Sequence, residues 1–468
     1  MPRTYGAIPL SFLAALALAA RPLAAQTPAD STPIEARYRA VADRLIDGAL
    51  ADSAAWQRLA ELTDRFGNRL SGSESLEHAL DWILDRMRGD GLERVHAEPA
   101  MVPHWVRGEE SLDLVEPRRV RLPMLGLGGS VGTPSPGITA PVLVVSSYDE
   151  LTARASEARG KIVLFDAPYV NYGVTVQYRW AGAIAAAKAG AVAALLRSVS
   201  PFEMRQPHTG VTHYDSTAKP IPFAAISIED AAMLHRMQQR GQRVVVTLKM
   251  EAHMLPDAPS RNVVAEITGA ASPEEVVVMG GHTDSWDVGA GAMDDGGGVV
   301  VAWEALRLMK RLGLRPRRTV RVVGWVNEEN GDRGGEAYRD THVAQLARHV
   351  LAIESDGGVF RPSGFGFSGS DSAFALVQRV GRLLARIGAD TIAKGGGGAD
   401  IGPIMERGVP GLEFKTDGTR YFWYHHSDAD TVDKLDPHEM AECVAAMAVM
   451  AYVVADLPEP LPRGPSTP

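Results

Sequence analysis

Three largely apolar runs that each end in acid or imidazole constrain this chain more than any other feature. Residues 276–279 (VVVM) lead through Gly280-Gly281 into His282-Thr283-Asp284-Ser285. Residues 320–326 lead into Asn327-Glu328-Glu329, and residues 350–353 into Glu354-Ser355-Asp356. Short apolar runs bounded in this way read as buried strands. The stretches at about 297–312 and 336–347 have helical length and fall between them. Strands alternating with helices predict an α/β fold, a mostly parallel (mixed) sheet with helices on both faces. The ends of neighbouring parallel strands then share one rim, and open sheets of this kind place their sites there. A fourth polar group, Tyr424-His425-His426-Ser427-Asp428-Ala429-Asp430-Thr431, follows a shorter apolar stretch around 412–414 and belongs to the same rim.

With Asp294-Asp295, twelve residues after His282 begins the pattern, the rim offers His282, Asp294, one of Glu328 and Glu329, Asp356, and His425 or His426. Two histidines, two terminal acids and one shared acid are what two tetrahedral zinc ions bridged by a carboxylate need. Two Zn2+ are therefore the expected cofactors. Such ions lower the pKa of a shared water, and an adjacent carboxylate can take and return its proton. Cys443 is the single cysteine, which excludes an internal disulfide and leaves zinc to His and carboxylate ligands. It lies in an apolar helical pattern at 440–447, where a buried, inert thiol is expected. Asp294 and Asp295 are adjacent and cannot both aim at one point, so Asp295 is expected to cap the following helix.

The rest of the chain frames this region. Residues 8–20 form a Leu/Ala-rich run behind Arg3, too short to span a bilayer and suited to a secretory signal. Cleavage is expected before Gln26, with Ala17-Leu18-Ala19 as a second candidate, giving a secreted or periplasmic chain without stable membrane insertion. Removing residues 1–25 takes away Arg3 and Arg21 and changes the net charge from −9 to −11. An acidic chain without a basic run excludes nucleic acid and anionic membranes as expected partners. Residues 32–92 read as helices, with an N-cap in Ser71-Gly72-Ser73-Glu74. Residues 122–255 carry their own strands and a small-residue helix near 180–191, and predict a smaller, inserted β-rich α/β module without catalytic logic. His208 and His213 in that module, and His78 and His96 outside it, are expected to be solvated. A helix is expected over 437–456 and a disordered Pro-rich tail over 457–468.

In combination, His282-x-Asp284, Asp294-Asp295-Gly296-Gly297-Gly298, Glu328-Glu329-x-Gly331-x-x-Gly334, Asp356 and His426-Ser427-x-x-Asp430-Thr431 resemble the ordered metal motifs of the M28 zinc peptidases. The likeness covers about residues 260–435. The segment 122–255 is similar to the protease-associated domain that several members carry, which implies a zinc-exopeptidase-like catalytic domain at 26–121 and 256–456. Residues 370–410 and 421–426 are similar to a secreted carboxypeptidase branch whose members cleave small peptides, chiefly dipeptides. The resemblance implies that His282 and Asp356 hold one zinc, Glu329 and His426 the other, that Asp294 bridges them, and that Glu328 is the general base. It implies that Asp284 accepts the second ring proton of His282 and fixes its tautomer. His425 is then expected to pack, because the register of the last motif falls on His426. Gly297 departs from the pattern, where many members have Ser.

The implied function is hydrolysis of short peptides. An aminopeptidase, a glutaminyl-cyclase-like enzyme and a receptor-like binding protein are alternatives on the same fold, and the full ligand set separates the enzymes from the last. The sequence leaves open which peptide terminus is read, with Lys415 and Arg420 as candidate partners of a substrate carboxylate, and it leaves a homodimer open.

Overall fold

The computed structural model describes Met1 and residues 33–202 and 204–464. The expected signal segment and its cleavage sites lie, Met1 apart, outside these residues. The expected α/β architecture is observed. One eight-stranded sheet runs in the order Glu93–Val106, His253–Ile267, Arg318–Trp325, Ser272–His282, His349–Glu354, Gly411–Thr416, Pro362–Ser368, Thr391–Lys394. Its four central strands, from Arg318–Trp325 to Gly411–Thr416, are mutually parallel, and antiparallel pairs flank them.

The strands read as near-continuous apolar runs because both faces are covered. Val277 and Met279 point into a core with the helices Ile34–Leu50, Ala54–Phe66, Gly297–Arg311 and Pro437–Asp456. Val276 and Val278 point the other way, against Tyr338, Ile401 and Ile404. The helix Glu74–Gly89 starts where expected, with Ser73 Oγ accepting the Leu76 N–H. Pro437–Asp456 is long and apolar enough to cross a membrane by length and composition, yet it is buried as the central helix of the first core. Cys443 within it is buried, donates to the Phe360 carbonyl and has its thiol pushed well up by burial.

A second sheet is ordered Val120–Leu122, Glu110–Glu116, Val245–Met250, Ile138–Val145, Ile162–Phe165, Ala193–Arg197, Phe223–Ile226, Met124–Gly126. It has its own apolar clusters. Residue 122, the expected boundary, therefore lies at the end of the second of its strands in chain order, Val120–Leu122, after Glu110–Glu116. The long strand Glu93–Val106 pairs with His253–Ile267 down to Val106 and His253, so the chain enters the second layer just after 106 and leaves it just before 253.

The expectation of a disordered tail fails over 457–464. Leu457 and Leu461 are buried, and Arg463 donates to the Leu346 and His349 carbonyls. Residues 465–468 lie outside the described residues.

Candidate metal centre

Each candidate ligand sits at the carboxyl end of a central strand or in the connection that leaves it. His282 ends Ser272–His282, Glu328 and Glu329 follow Arg318–Trp325, and Asp356 lies two residues past His349–Glu354. His425 and His426 follow the short helix Tyr421–Tyr424, and Asp294 enters from the turn before Gly297–Arg311. Asp294 lies between two groups. Its Oδ1 is 3.3 Å from His282 Nε2, which is also 3.4 Å from Asp356 Oδ1. Its Oδ2 is 3.2 Å from His426 Nε2, which is also 3.0 Å from Glu329 Oε2. Glu328 Oε2 stands back, 3.9 Å from His282 Nε2.

These spacings fit a metal. Two ligands of a tetrahedral zinc at about 2.0–2.1 Å lie roughly 3.3–3.4 Å apart. His282 Nε2, Asp294 Oδ2 and Asp356 Oδ1 are buried without a hydrogen-bond partner among the described residues, as inward-facing ligand atoms would be. Two sets of side chains, His282 with Asp294 and Asp356, and Asp294 with His425 and His426, are close enough to hold one ion each and share Asp294. His425 does more than the expected packing. It stacks on His426 at 3.5 Å between ring centroids and brings its Nε2 to 3.5 Å from Asp294 Oδ2.

Electrostatics point the same way. Burial, with repulsion from neighbouring carboxylates, pushes Glu328, Glu329 and Asp356 up. Burial opposes the charge on Asp294 too, but the His282 and His426 imidazoles beside it hold it well below the usual carboxylate range. Burial likewise opposes a charge on His282, whose acid neighbours nevertheless hold its imidazole well up. Crowding like charges in a dry space costs free energy that a divalent cation offsets.

Three buried carboxylates hold the turns that present these side chains. Asp284 was expected to take the ring proton of His282, but Nδ1 instead faces the Asp284 carbonyl at 3.0 Å, with the carboxylate farther off at 3.6 Å. The Asp284 carboxylate accepts the N–H groups of Asn327, Glu328 and Glu329 at 2.7, 3.2 and 3.4 Å, and Ser71 Oγ–H at 3.2 Å. It is aimed there because the Glu328-Glu329 turn has donors no strand partner satisfies. Asp430 does the same for the N–H groups of Ala292, Met293 and Asp294 at 2.9, 2.8 and 3.3 Å. Burial and the Asp294 charge push Asp430 up to about 7. Asp295, expected only as a cap, accepts from the Gly298 N–H and also from the His282 N–H, both at 3.1 Å. Its flanking glycines are needed, since a Cβ on Gly281 or Gly298 would lie 2.0 or 2.4 Å from an Asp295 oxygen. Gly297, where the resemblance leads one to expect Ser, has its side-chain space filled by Val359.

The second layer reaches the site, although 122–255 carries no motif with catalytic logic. Thr209 donates its N–H to the His426 carbonyl at 2.8 Å and faces His426 Nδ1 with its own carbonyl at 3.3 Å. His208, expected to be solvated, is buried with Nδ1 2.6 Å from the His425 carbonyl. His213 is exposed, as expected, and stacks on Trp180 at the cleft wall. No metal-like motif marks these residues, because they act through the backbone and through packing. His78 and His96 are exposed, as expected. The cleft above the acids measures about 610 Å³, within the usual range of small-ligand sites, and both layers line it.

Comparison with known proteins agrees with this geometry. Residues 262–451 match the model of peptidase family M28. The chain is 50% identical to carboxypeptidase Q of Bos taurus over 92% of its own length and 91% of that protein. The crystal structure of a peptidase M28 precursor from Shewanella amazonensis SB2B superposes with a TM-score of 0.88 at 35% identity, covering 92% of this chain and 99% of that one. A zinc aminopeptidase from Bacillus subtilis shares the fold, with a TM-score of 0.65 at 20% identity over 87% of this chain and 98% of its own.

Proposed function

Because the chain belongs to peptidase family M28 and is a zinc metallopeptidase, we propose that it is an exported, di-zinc exopeptidase that hydrolyses short peptides, dipeptides above all. The observation that carries this reading is the division of Asp294, one oxygen toward His282 and Asp356, the other toward His426 and Glu329. Asp294 would be shared by two ions, with His282 and Asp356 completing one site and Glu329 and His426 the other. When bound, the ions supply a nucleophilic water at neutral pH and polarise the scissile carbonyl.

The remaining work falls to side chains. Glu328 is not needed as a ligand in this assignment, and 21% of its side-chain surface remains open toward the cleft. It takes the proton from the attacking water and returns it to the leaving amine. Asp284 and Asp430 keep the ligand turns at fixed spacing through three N–H groups each. The Thr209 carbonyl takes the Nδ1–H of His426, leaving Nε2 as the free ring nitrogen. The second layer, read as a protease-associated insert, walls the cleft so that only short or terminal segments enter.

The test is hydrolysis of a dipeptide panel, free or blocked at each end, with zinc measured on the same sample and the N-terminus sequenced on chain recovered outside the cytoplasm. Cleavage of free dipeptides by zinc-loaded protein starting near Gln26 is expected. Zinc-loaded protein that cleaves none, or that releases only N-terminal residues from longer peptides, overturns the dipeptidase reading, and full-length chain confined to the cytoplasm overturns export.

A further inference from the structure

We propose that Arg179, in the helix Tyr172–Lys188 of the second layer, binds the terminal carboxylate of the substrate and so sets which end of a peptide enters; this rests on the exopeptidase reading above. Among the described residues four arginines are buried: Arg69, Arg179, Arg318 and Arg321. Arg318 pairs with Glu275 and Arg321 with Glu266. Arg69 has no such pair but spends four of its five N–H donors on the carbonyls of Thr283, Gly67, Ala290 and Gly291. Arg179 has neither. One terminal nitrogen donates to Tyr172 Oη at 2.8 Å, the other to the Thr209 carbonyl at 3.3 Å, and its Nε is buried without a partner. A buried guanidinium without a counter-ion is costly, and an anion that arrives with the substrate relieves the cost.

Its position suits a terminal group. Arg179 lines the cleft and is its sole Lys or Arg among the described lining residues. Its Nη1 lies 3.2 Å from His426 Nδ1, so a single imidazole ring separates it from the Nε2 that faces Asp294 and Glu329. When a C-terminal residue is released, its carboxylate lies one residue from the scissile carbonyl, about 3.8 Å in Cα spacing. The other cations near the rim are committed, Lys415 to Glu413 and Arg420 to Glu439 at 3.1 Å. The guanidinium is also held in place, by the Tyr172 hydroxyl and by packing on Gly210, where a Cβ would lie 2.2 Å from Nη1.

The test is calorimetric binding to zinc-loaded protein of an Ala-Ala analogue whose scissile carbonyl is replaced by methylene, with its C-terminus free or amidated. Wild type should prefer the free acid about 10- to 100-fold, the worth of a hydrogen bond to a charged group. Arg179→Gln should bind the two alike, Arg179→Lys should keep part of the preference, and Tyr172→Phe, which only loosens the guanidinium, should reduce it less. Tyr172→Phe decides the matter if Arg179→Gln does not fold, since an unchanged preference there overturns the proposal. So does a wild type without preference, or an Arg179→Gln that weakens acid and amide equally, which marks a positioning role for His426. An Ala-Glu-amide analogue bound as tightly as the free acid would make a side-chain carboxylate the ligand and also overturn it. The binding readout needs no turnover, so a protein that cleaves no dipeptide yet shows these preferences fails the catalytic reading alone.

Discussion

Replacing Asp284 with Asn tests how the Glu328-Glu329 turn is held. Asp284 Oδ1 accepts the Asn327 and Glu328 N–H groups, and Oδ2 accepts the Glu329 N–H and the Ser71 hydroxyl. An amide in the same place keeps the first pair as neutral rather than charge-assisted bonds, about half as strong. Its NH2 then points at the Glu329 N–H, donor against donor. One lost bond to a charged group costs about 1.5–3 kcal/mol of stability. Loosening a ligand from behind weakens metal binding by about 10- to 100-fold. In the proposed assignment the loss should fall on the ion that Glu329 and His426 would hold, because Glu329 is the proposed ligand whose backbone is released. Zinc titration in a metal buffer, with denaturant unfolding of the zinc-free protein, reads both numbers. In a Glu329→Gln background Asp284→Asn should cost little further affinity, since the two act through one ligand. Full additivity in that background, with coupling instead to an Asp356→Asn background, would return Asp284 to the role of orienting His282 and refute the reasoning.

Other substitutions separate neighbours. Glu328→Gln should retain zinc and lose about 10² to 10⁴ in kcat, the worth of a general base, whereas Glu329→Gln should lose one zinc; the reverse pattern in metal analysis exchanges their roles. Asp295→Ala should cost about 3–6 kcal/mol in unfolding experiments, because two bonds to a buried carboxylate go at once, and a cost near 1 kcal/mol would return Asp295 to a cap alone. Acid should unfold the protein in two windows. Burial holds His349 down to about 3, so the unfolded chain binds the extra proton and stability falls as pH drops from about 6.5 toward 3, by up to about 1.4 kcal/mol per pH unit. Burial opposes the Glu98 charge, but hydrogen bonds from His342 and His96 hold Glu98 at about 2, so its contribution is present above about 4.3 and lost as pH falls through 2. His349→Gln should reduce the slope of the first window, where His208, held down to about 4 by burial, also contributes, and leave the second; an unchanged slope above pH 4 would count against it.

The central sheet and the convergence of the candidate ligands were legible because apolar runs of strand length end abruptly in His, Asp or Glu, and parallel pairing brings those ends together. What the sequence hid acts through groups that periodicity does not report. Asp284 and Asp430 look like further metal ligands, yet each spends its oxygens on three consecutive backbone N–H groups. His208 and Thr209 stand in a polar loop that reads as solvated until the second layer folds back onto His425 and His426. Arg179 lies in a helix of small residues, and nothing in its neighbours in sequence marks it as unpaired. The strand Glu110–Glu116 alternates weakly, so the second layer begins earlier than its apolar runs suggest. The tail follows its prolines less than its two leucines, which pack on the core.

Zinc content per folded chain, measured on wild type and on Asp294→Asn purified in parallel, tests the shared carboxylate most directly. Two zinc ions are expected in the wild type and the loss of both in Asp294→Asn, because each site gives up the same residue. One zinc in the wild type, or an Asp294→Asn that gives up a single ion and keeps the other at wild-type affinity, would contradict a centre built on Asp294 as the bridge.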